Sequence, residues 1–305
     1  MTWMMRDQVL VEPSLSIASA ELSGGGAKSI DVSPVFIVST GRAGSQMIAN
    51  ALARHPRLCA LHEPPPHLNA EAFVSWSRRG KLPSWRTRLI SHRRDALEAT
   101  TRRKRELMIR QIIGNGYVYV ESSHFLSHLI PELSSAFGGR FVHLYRDGRH
   151  FVRSGLQRDW FTKTTLSQDL VAWIRRRYLV ELGRTSKDHL LSPPPEFRTR
   201  FEKIAWLWVE INTVILDGLE SIPDGRKFAL PVEALSAGTL EGLLGFIGVS
   251  SDAPTVEAML EVASRKPNRT PGRPTQPPPD RWSDREHQRF NEIAGRMMVR
   301  LGYTT

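Results

Sequence analysis

The 305-residue chain predicts an α/β fold, a parallel sheet of about five strands flanked by helices on both faces. Three observations carry this. Short apolar, β-branched runs recur along the chain, evenly apolar as strands buried on both faces must be. Stretches with helical spacing lie between them. A glycine-containing loop joins the first run to the first helical stretch, the junction at which such sheets take ligands.

The elements follow in order. Residues 1–30 end in Ser23-Gly24-Gly25-Gly26 and predict a flexible tail, leaving residues 31–305 as one domain. Val35-Phe36-Ile37-Val38 is the first strand, and the loop Ser39-Thr40-Gly41-Arg42-Ala43-Gly44-Ser45 follows at once. Gln46 to Arg54 has helical periodicity through Met47, Ile48 and Leu52. Leu58-Cys59-Ala60-Leu61 is a second strand, stopped by His62-Glu63-Pro64-Pro65-Pro66, where the prolines end regular structure. Residues 67–112 are basic and predict helix, with an acceptor-wall or solvated-face role, and include His67, Trp76, Trp85 and the run Arg102-Arg103-Lys104-Arg105. Tyr117-Val118-Tyr119-Val120 and Phe141-Val142-His143-Leu144-Tyr145 are the third and fourth strands. Ile204 to Leu219 reads as an amphipathic helix, Lys227-Phe228-Ala229-Leu230 as a late strand and Arg285 to Leu301 as a closing helix. The Pro- and Arg-rich stretch 265–281 predicts an ordered loop or lid, and Trp282 after it a core position.

Composition narrows the classes. The chain has 42 Lys and Arg against 31 Asp and Glu, a net charge of +11, which draws anions without choosing among nucleic acid, phospholipid, sulfate and nucleotide. Its single cysteine, Cys59, cannot form an internal disulfide and reads as a buried thiol. No Cys/His cluster has metal spacing, so no metal site is expected. No apolar run reaches the length of a membrane span, and Met1 to Ala20 has no signal-peptide pattern, so a cytoplasmic chain is expected.

The loop between the first strand and helix carries the chemistry. A glycine loop entering a helix turns backbone N–H groups towards an anion, and the helix dipole adds to the pull. Gly41 and Gly44 permit close approach, Ser45 adds a hydroxyl, and Arg42 adds a fork for phosphate or sulfate oxygens. No Gly-Lys-Ser/Thr closes the loop, which argues against an ATPase or kinase. A second candidate anion site follows the fourth strand, where Arg146 precedes Asp147-Gly148-Arg149 and Ser154 lies within the next helix.

Together the two segments resemble the sulfotransferase family. Arg42-Ala43-Gly44-Ser45, with Gln46 after it, is similar to that family's loop for the 5′-phosphosulfate. Arg146 and Ser154, eight positions apart after a hydrophobic strand, are similar to its 3′-phosphate motif, and Ser264-Arg265-Lys266-Pro267 to its C-terminal 3′-phosphate loop. The segment Pro231-Val232-Glu233-Ala234-Leu235 looks like one that follows a late strand in the family. The resemblance implies a P-loop-like sulfotransferase domain. Its donor would be 3′-phosphoadenosine-5′-phosphosulfate (PAPS), its product PAP, and it would need no metal. Gly41, Arg42, Ala43, Gly44, Ser45, Gln46, Arg146, Ser154, Arg265 and Lys266 would hold the donor, with Arg42 also stabilising the leaving phosphate.

The family also implies a base for the acceptor proton. Golgi-type and several bacterial members use a Glu at the end of the second strand, the place of Glu63. Cytosolic members use a His after the third strand, and Ser123-His124-Phe125-Leu126 stands at the matching distance. Glu63 is preferred, with His124 its rival and Glu121 third. The acceptor is a hydroxyl or amine on a carbohydrate, lipid or small metabolite; a homodimer is admitted and nucleic acid is not expected as a partner. Two other readings stand beside this one: a P-loop-type kinase or nucleotide phosphotransferase, and a basic nucleic-acid-binding module.

Overall fold

The computed structural model describes residues 33–65, 102–158, 160–161, 196–265 and 276–305. The expected tail 1–30, Lys266, and His67, Trp76 and Trp85 of the basic segment lie outside the described residues.

Five strands form one parallel sheet: β1 (Val35–Val38), β2 (Leu58–His62), β3 (Val118–Ser122), β4 (Arg140–Tyr145) and β5 (Lys227–Pro231), in the spatial order β2-β3-β1-β4-β5. The chain therefore starts in the middle, builds to one side, then crosses to the other. The reversal is flanked by β3 and β4, and the carboxyl ends around such a reversal are where α/β sheets open a crevice. β1 is wholly buried, as its unbroken apolar run requires.

Successive residues of β1 face opposite ways, and each face meets its own helices. Val35 and Ile37 join Val120, Val142 and Leu230 under α1 (Ser45–Leu52), α6 (Ala237–Ile247) and α7 (Ala253–Ser264). Phe36 and Val38 join Tyr119 and Phe141 under α2 (residues 102–114), α3 (Ile130–Phe137) and α5 (Arg200–Glu220). A third cluster joins α4 (Gly148–Gln157), α5 and α8 (Asp284–Arg300) through Phe151, Trp208, Phe290 and Met298, and Trp282 is buried there as expected. Among the described residues, no helix is long and apolar enough to cross a membrane.

Helix starts differ in a telling way. α5, α6 and α8 open with reciprocal capping boxes, Thr199 with Glu202, Ser236 with Thr239 and Ser283 with Glu286. α7 opens on the Asp252 carboxylate and α4 on that of Asp147. α3 has no capping side chain, yet Pro131 and Glu132 occupy its first turn. α1 has neither a capping side chain nor an acidic residue in its first turn, so its amino end keeps its full attraction for an anion.

Of the basic segment 67–112, only residues 102–112 are described, and they are not uniformly solvated. Arg102, Arg103 and Lys104 are exposed on α2, but Arg105 is fully buried.

Candidate active site

Four loops leave the carboxyl ends of β1, β2, β3 and β4, and most predicted site residues stand on them. After β1 the backbone turns sharply. Gly41 (φ 75°), Arg42 (φ 53°) and Gly44 (φ 92°) are all left-handed. Two of these positions hold glycine at little cost; Arg42 does not, and a non-glycine residue held there stores roughly 1–3 kcal/mol of strain. The loop is braced from behind. Ser127 Oγ donates to Ser39 O at 2.7 Å and accepts from Ser39 N at 3.2 Å, while Gly41 N donates to Ser39 Oγ at 3.2 Å. Ala43 is buried beneath the turn, and Ser45 and Gln46 begin α1. Ser122 Oγ, at the end of β3, donates to Ser45 O at 2.9 Å.

The segment after β4 closes on this loop. Arg42 Nε donates to Ser154 Oγ at 2.9 Å, and Arg146 Nη1 donates to Arg42 O at 3.2 Å. The two motifs, far apart in sequence, thus meet directly through two hydrogen bonds. Burial, then the charges of Arg158 and Arg146, lowers Arg42 to about 10. Arg42 remains cationic at neutral pH, with Arg158 and Arg146 the charges that act on it. Burial also lowers Arg146, against the pull of Glu233 and Asp147, and Arg146 Nε is buried without a hydrogen bond.

Several residues not singled out in sequence hold Arg146. Trp208 Nε1 donates to its carbonyl at 3.1 Å. Glu233 Oε1, just after β5, accepts from Asp147 N at 3.1 Å and lies 3.9 Å from Arg146 Nε, while Tyr303 OH donates to Glu233 Oε2 at 2.8 Å. Asp147 caps α4 by accepting from Arg149 N and also takes Nε and Nη2 of Arg149, so it acts on Arg146 through its charge and not through a hydrogen bond. Glu233 is legible in the sequence only as a carboxylate beyond a late strand; Trp208 and Tyr303 carry no local sequence signal.

The two rival bases meet. His124 Nδ1 lies 2.8 Å from Glu63 Oε1. An ionised carboxylate only accepts, so the proton of this hydrogen bond sits on Nδ1 and the Nε2 lone pair is left for chemistry. The His124 side chain stands over Gly41, where an added Cβ would lie 3.5 Å from His124 Cβ and Cγ. Ser123 caps the short turn His124–His128 by accepting from Phe125 N, and the Phe125 ring lies 3.9 Å from that of His124. Glu63 is itself left-handed, with φ 47°. The third candidate, Glu121, is buried against Arg105, 3.5 Å from its Nη2, and accepts from Tyr119 OH at 2.6 Å. That places Glu121 away from solvent and in a structural role.

Arg265 is not gathered into the site. It is exposed at the end of α7 and pairs with Glu261, and among the described residues no contact joins it to Arg146 or Ser154. The end of the Pro-rich stretch does return there, since Arg153 Nε donates to Gln276 O at 3.0 Å beside Ser154. Among the described residues, no group of three or more His, Cys, Asp or Glu stands together as a metal site would require.

No family model matches the chain, and no curated protein matches it. Among solved structures, it is similar to a sulfotransferase domain from the curacin biosynthetic pathway, at 15% identity over 87% of this chain and 97% of that one, TM-score 0.46. A sulfotransferase domain from the Synechococcus PCC 7002 olefin synthase is similar at 15% identity over 79% of this chain and 82% of that one, TM-score 0.45. A sulfotransferase from Mycobacterium avium is similar at 14% identity over 90% of this chain and 78% of that one, TM-score 0.47.

Proposed function

We propose that the chain is a PAPS-dependent sulfotransferase, moving a sulfuryl group to an acceptor hydroxyl or amine. The observation that carries this is the closure of the two anion motifs on each other, through Arg42 on Ser154 and Arg146 on the Arg42 carbonyl. One motif ends at an uncapped helix and the other at an arginine whose buried Nε makes no hydrogen bond, a combination suited to a ligand with two separated phosphates.

In the transfer, the sulfur–oxygen bond to the donor's phosphate breaks as a bond from sulfur to the acceptor oxygen forms. Arg42 and the N–H groups opening α1 would meet the charge that gathers on the leaving phosphate. The acceptor's proton must go elsewhere, and the Glu63–His124 pair fits that task. Glu63 holds the ring tautomer and His124 Nε2 takes the proton, then carries positive charge beside the carboxylate. The two sequence candidates thereby act as one device.

The test has two arms. Thermal shift with PAP, ATP and AMP should show selective stabilisation by PAP that disappears in Arg146→Ala. Release of PAP from PAPS, measured with a panel of simple alcohols, phenols and sugars, should fall roughly 100-fold or more in both His124→Gln and Glu63→Ala while PAP affinity holds. Equal stabilisation by ATP with magnesium-dependent turnover would replace this reading with phosphoryl transfer. Near-normal turnover in His124→Gln alone would return the base to Glu63.

A further inference from the structure

Glu63 occupies a backbone conformation that a glutamate does not choose, so something must hold it. On its amino side the restraint is clear. His62 Nδ1 lies 2.9 Å from Ser122 O, and Glu63 N donates to the same carbonyl at 3.1 Å. On its carboxyl side the next residue, Pro64, has no N–H to give, but its carbonyl is taken by Arg105 Nη2 at 2.9 Å. That guanidinium is fully buried, and its other arm, Nη1, donates to Tyr119 OH at 3.1 Å. Tyr119 OH in turn donates to Glu121, whose carboxylate faces Arg105.

We propose that Arg105 is a positioning residue for the Glu63–His124 pair, gripping the Pro64 carbonyl so that the Glu63 carboxylate stays aimed at His124 Nδ1. This rests on the reading of that pair as the proton acceptor. The geometry makes β3 the common reference. Tyr119 and Glu121 of β3 set Arg105, Arg105 sets Pro64, and β3 runs on through Ser122 and Ser123 into His124 itself. Both halves of the pair are therefore indexed to one strand. A buried ion pair is a poor source of stability, because desolvation offsets most of its attraction, so its presence beneath the loop calls for another reason. An arginine fork supplies that reason, since its rigid plane fixes direction at two acceptors at once where a lysine's rotatable ammonium fixes none.

The experiment compares wild type with two variants. Arg105→Met/Tyr119→Phe/Glu121→Leu removes Arg105, Tyr119 and Glu121 together, so neither member of the Arg105–Glu121 ion pair is left buried without the other. Arg105→Lys keeps the charge and loses the fork. Three quantities are read: the PAP dissociation constant, PAP release from PAPS with the best acceptor of the panel above, and the ¹H–¹⁵N pattern of the His124 ring above its titration. That pattern reports whether the proton is on Nδ1 or Nε2. The expected result for the triple variant is an unchanged PAP constant, turnover down roughly 10- to 100-fold, and His124 relaxed into a mixture of tautomers. Arg105→Lys should fall between it and wild type. A purely structural role would lower the melting temperature and leave the turnover of folded protein and the His124 tautomer alone. That outcome overturns the proposal. Should the triple variant fail to fold, Arg105→Lys decides by the same readouts, unchanged turnover and tautomer overturning it. If wild type neither binds PAP nor transfers sulfuryl groups, the functional reading falls, and the tautomer comparison still judges the tether.

Discussion

Arg42, in the loop after β1, and Ser154, in α4, are joined directly: the Nε of the first donates to the hydroxyl of the second at 2.9 Å. Arg42 is partly buried, strained at φ 53° and crowded by other arginines, so this hydroxyl is an acceptor it needs. Ser154→Ala should therefore weaken PAP binding roughly tenfold, the range for losing one hydrogen bond to a charged group, and shift the melting temperature little. Calorimetric titration measures it. An unchanged constant would mean that the two motifs meet without serving one ligand.

Glu233 gives a prediction of opposite sign. Its carboxylate lies 3.9 Å from Arg146 Nε, with both side chains about a third exposed, and on the proposed function it would compete with a phosphate for that arginine. Glu233→Gln keeps an acceptor for Asp147 N in its amide oxygen, turns its amide nitrogen to donate to the Tyr303 hydroxyl, and removes the charge. PAP should bind about two- to fivefold more tightly, the worth of a partly exposed pair, and the gain should shrink with added salt. Weaker binding would show instead that Glu233 is needed to aim Arg146.

Glycine substitutions separate packing from backbone freedom. A Cβ on Gly148 would come within 2.9 Å of the Trp208 ring and 3.0 Å of Phe290. Gly148→Ala should cost about 1–3 kcal/mol by overpacking, and weaken PAP binding too, because Trp208 also holds the Arg146 carbonyl. A Cβ on Gly245, in α6, would meet nothing within 4 Å, so Gly245→Ala should raise stability by about 0.5–1 kcal/mol. Chemical unfolding of the two variants checks both signs.

All five strands are legible in the sequence as short runs rich in apolar and β-branched residues, although only β1 and β3 are buried throughout and the edge strands β2 and β5 are largely half-buried. So is the glycine loop after β1, whose glycines fall at the left-handed positions Gly41 and Gly44. Helices α6 and α7 escape a reading by periodicity. Gly238, Gly242 and Gly245 weaken the helical signal of the first, although its Ser236 cap stands in plain view. The Glu63–His124 contact has no sequence signal at all. It depends on β2 and β3 lying side by side in register, His62 opposite Ser122, which brings residues 61 positions apart within 2.8 Å. Arg105 is hidden by its neighbours, since three exposed basic residues make the fourth look solvated.

Acid stability follows from His143. The ring is buried in β4, and burial, against the opposing pull of its hydrogen bond to Asn212, lowers it to about 4 from 6.5. Asn212 Nδ2 donates to Trp208 O at 2.8 Å, so its Oδ1 faces His143 Nε2 at 3.1 Å and accepts from the neutral ring. Below pH 6.5 the unfolded chain binds a proton here that the native ring refuses until about pH 4. Stability is therefore complete above the first value, falls with pH across the window, and levels off below the second. The full drop from this one residue is about 3 kcal/mol. His143→Gln keeps a donor for Asn212 and cannot titrate, so its urea midpoint should decline less between pH 7 and pH 4.5 than that of wild type. Lowered His62 and His150 remain in both proteins and cancel in the comparison. Parallel pH profiles for the two would show that His143 takes its proton in the folded state as readily as in the unfolded one.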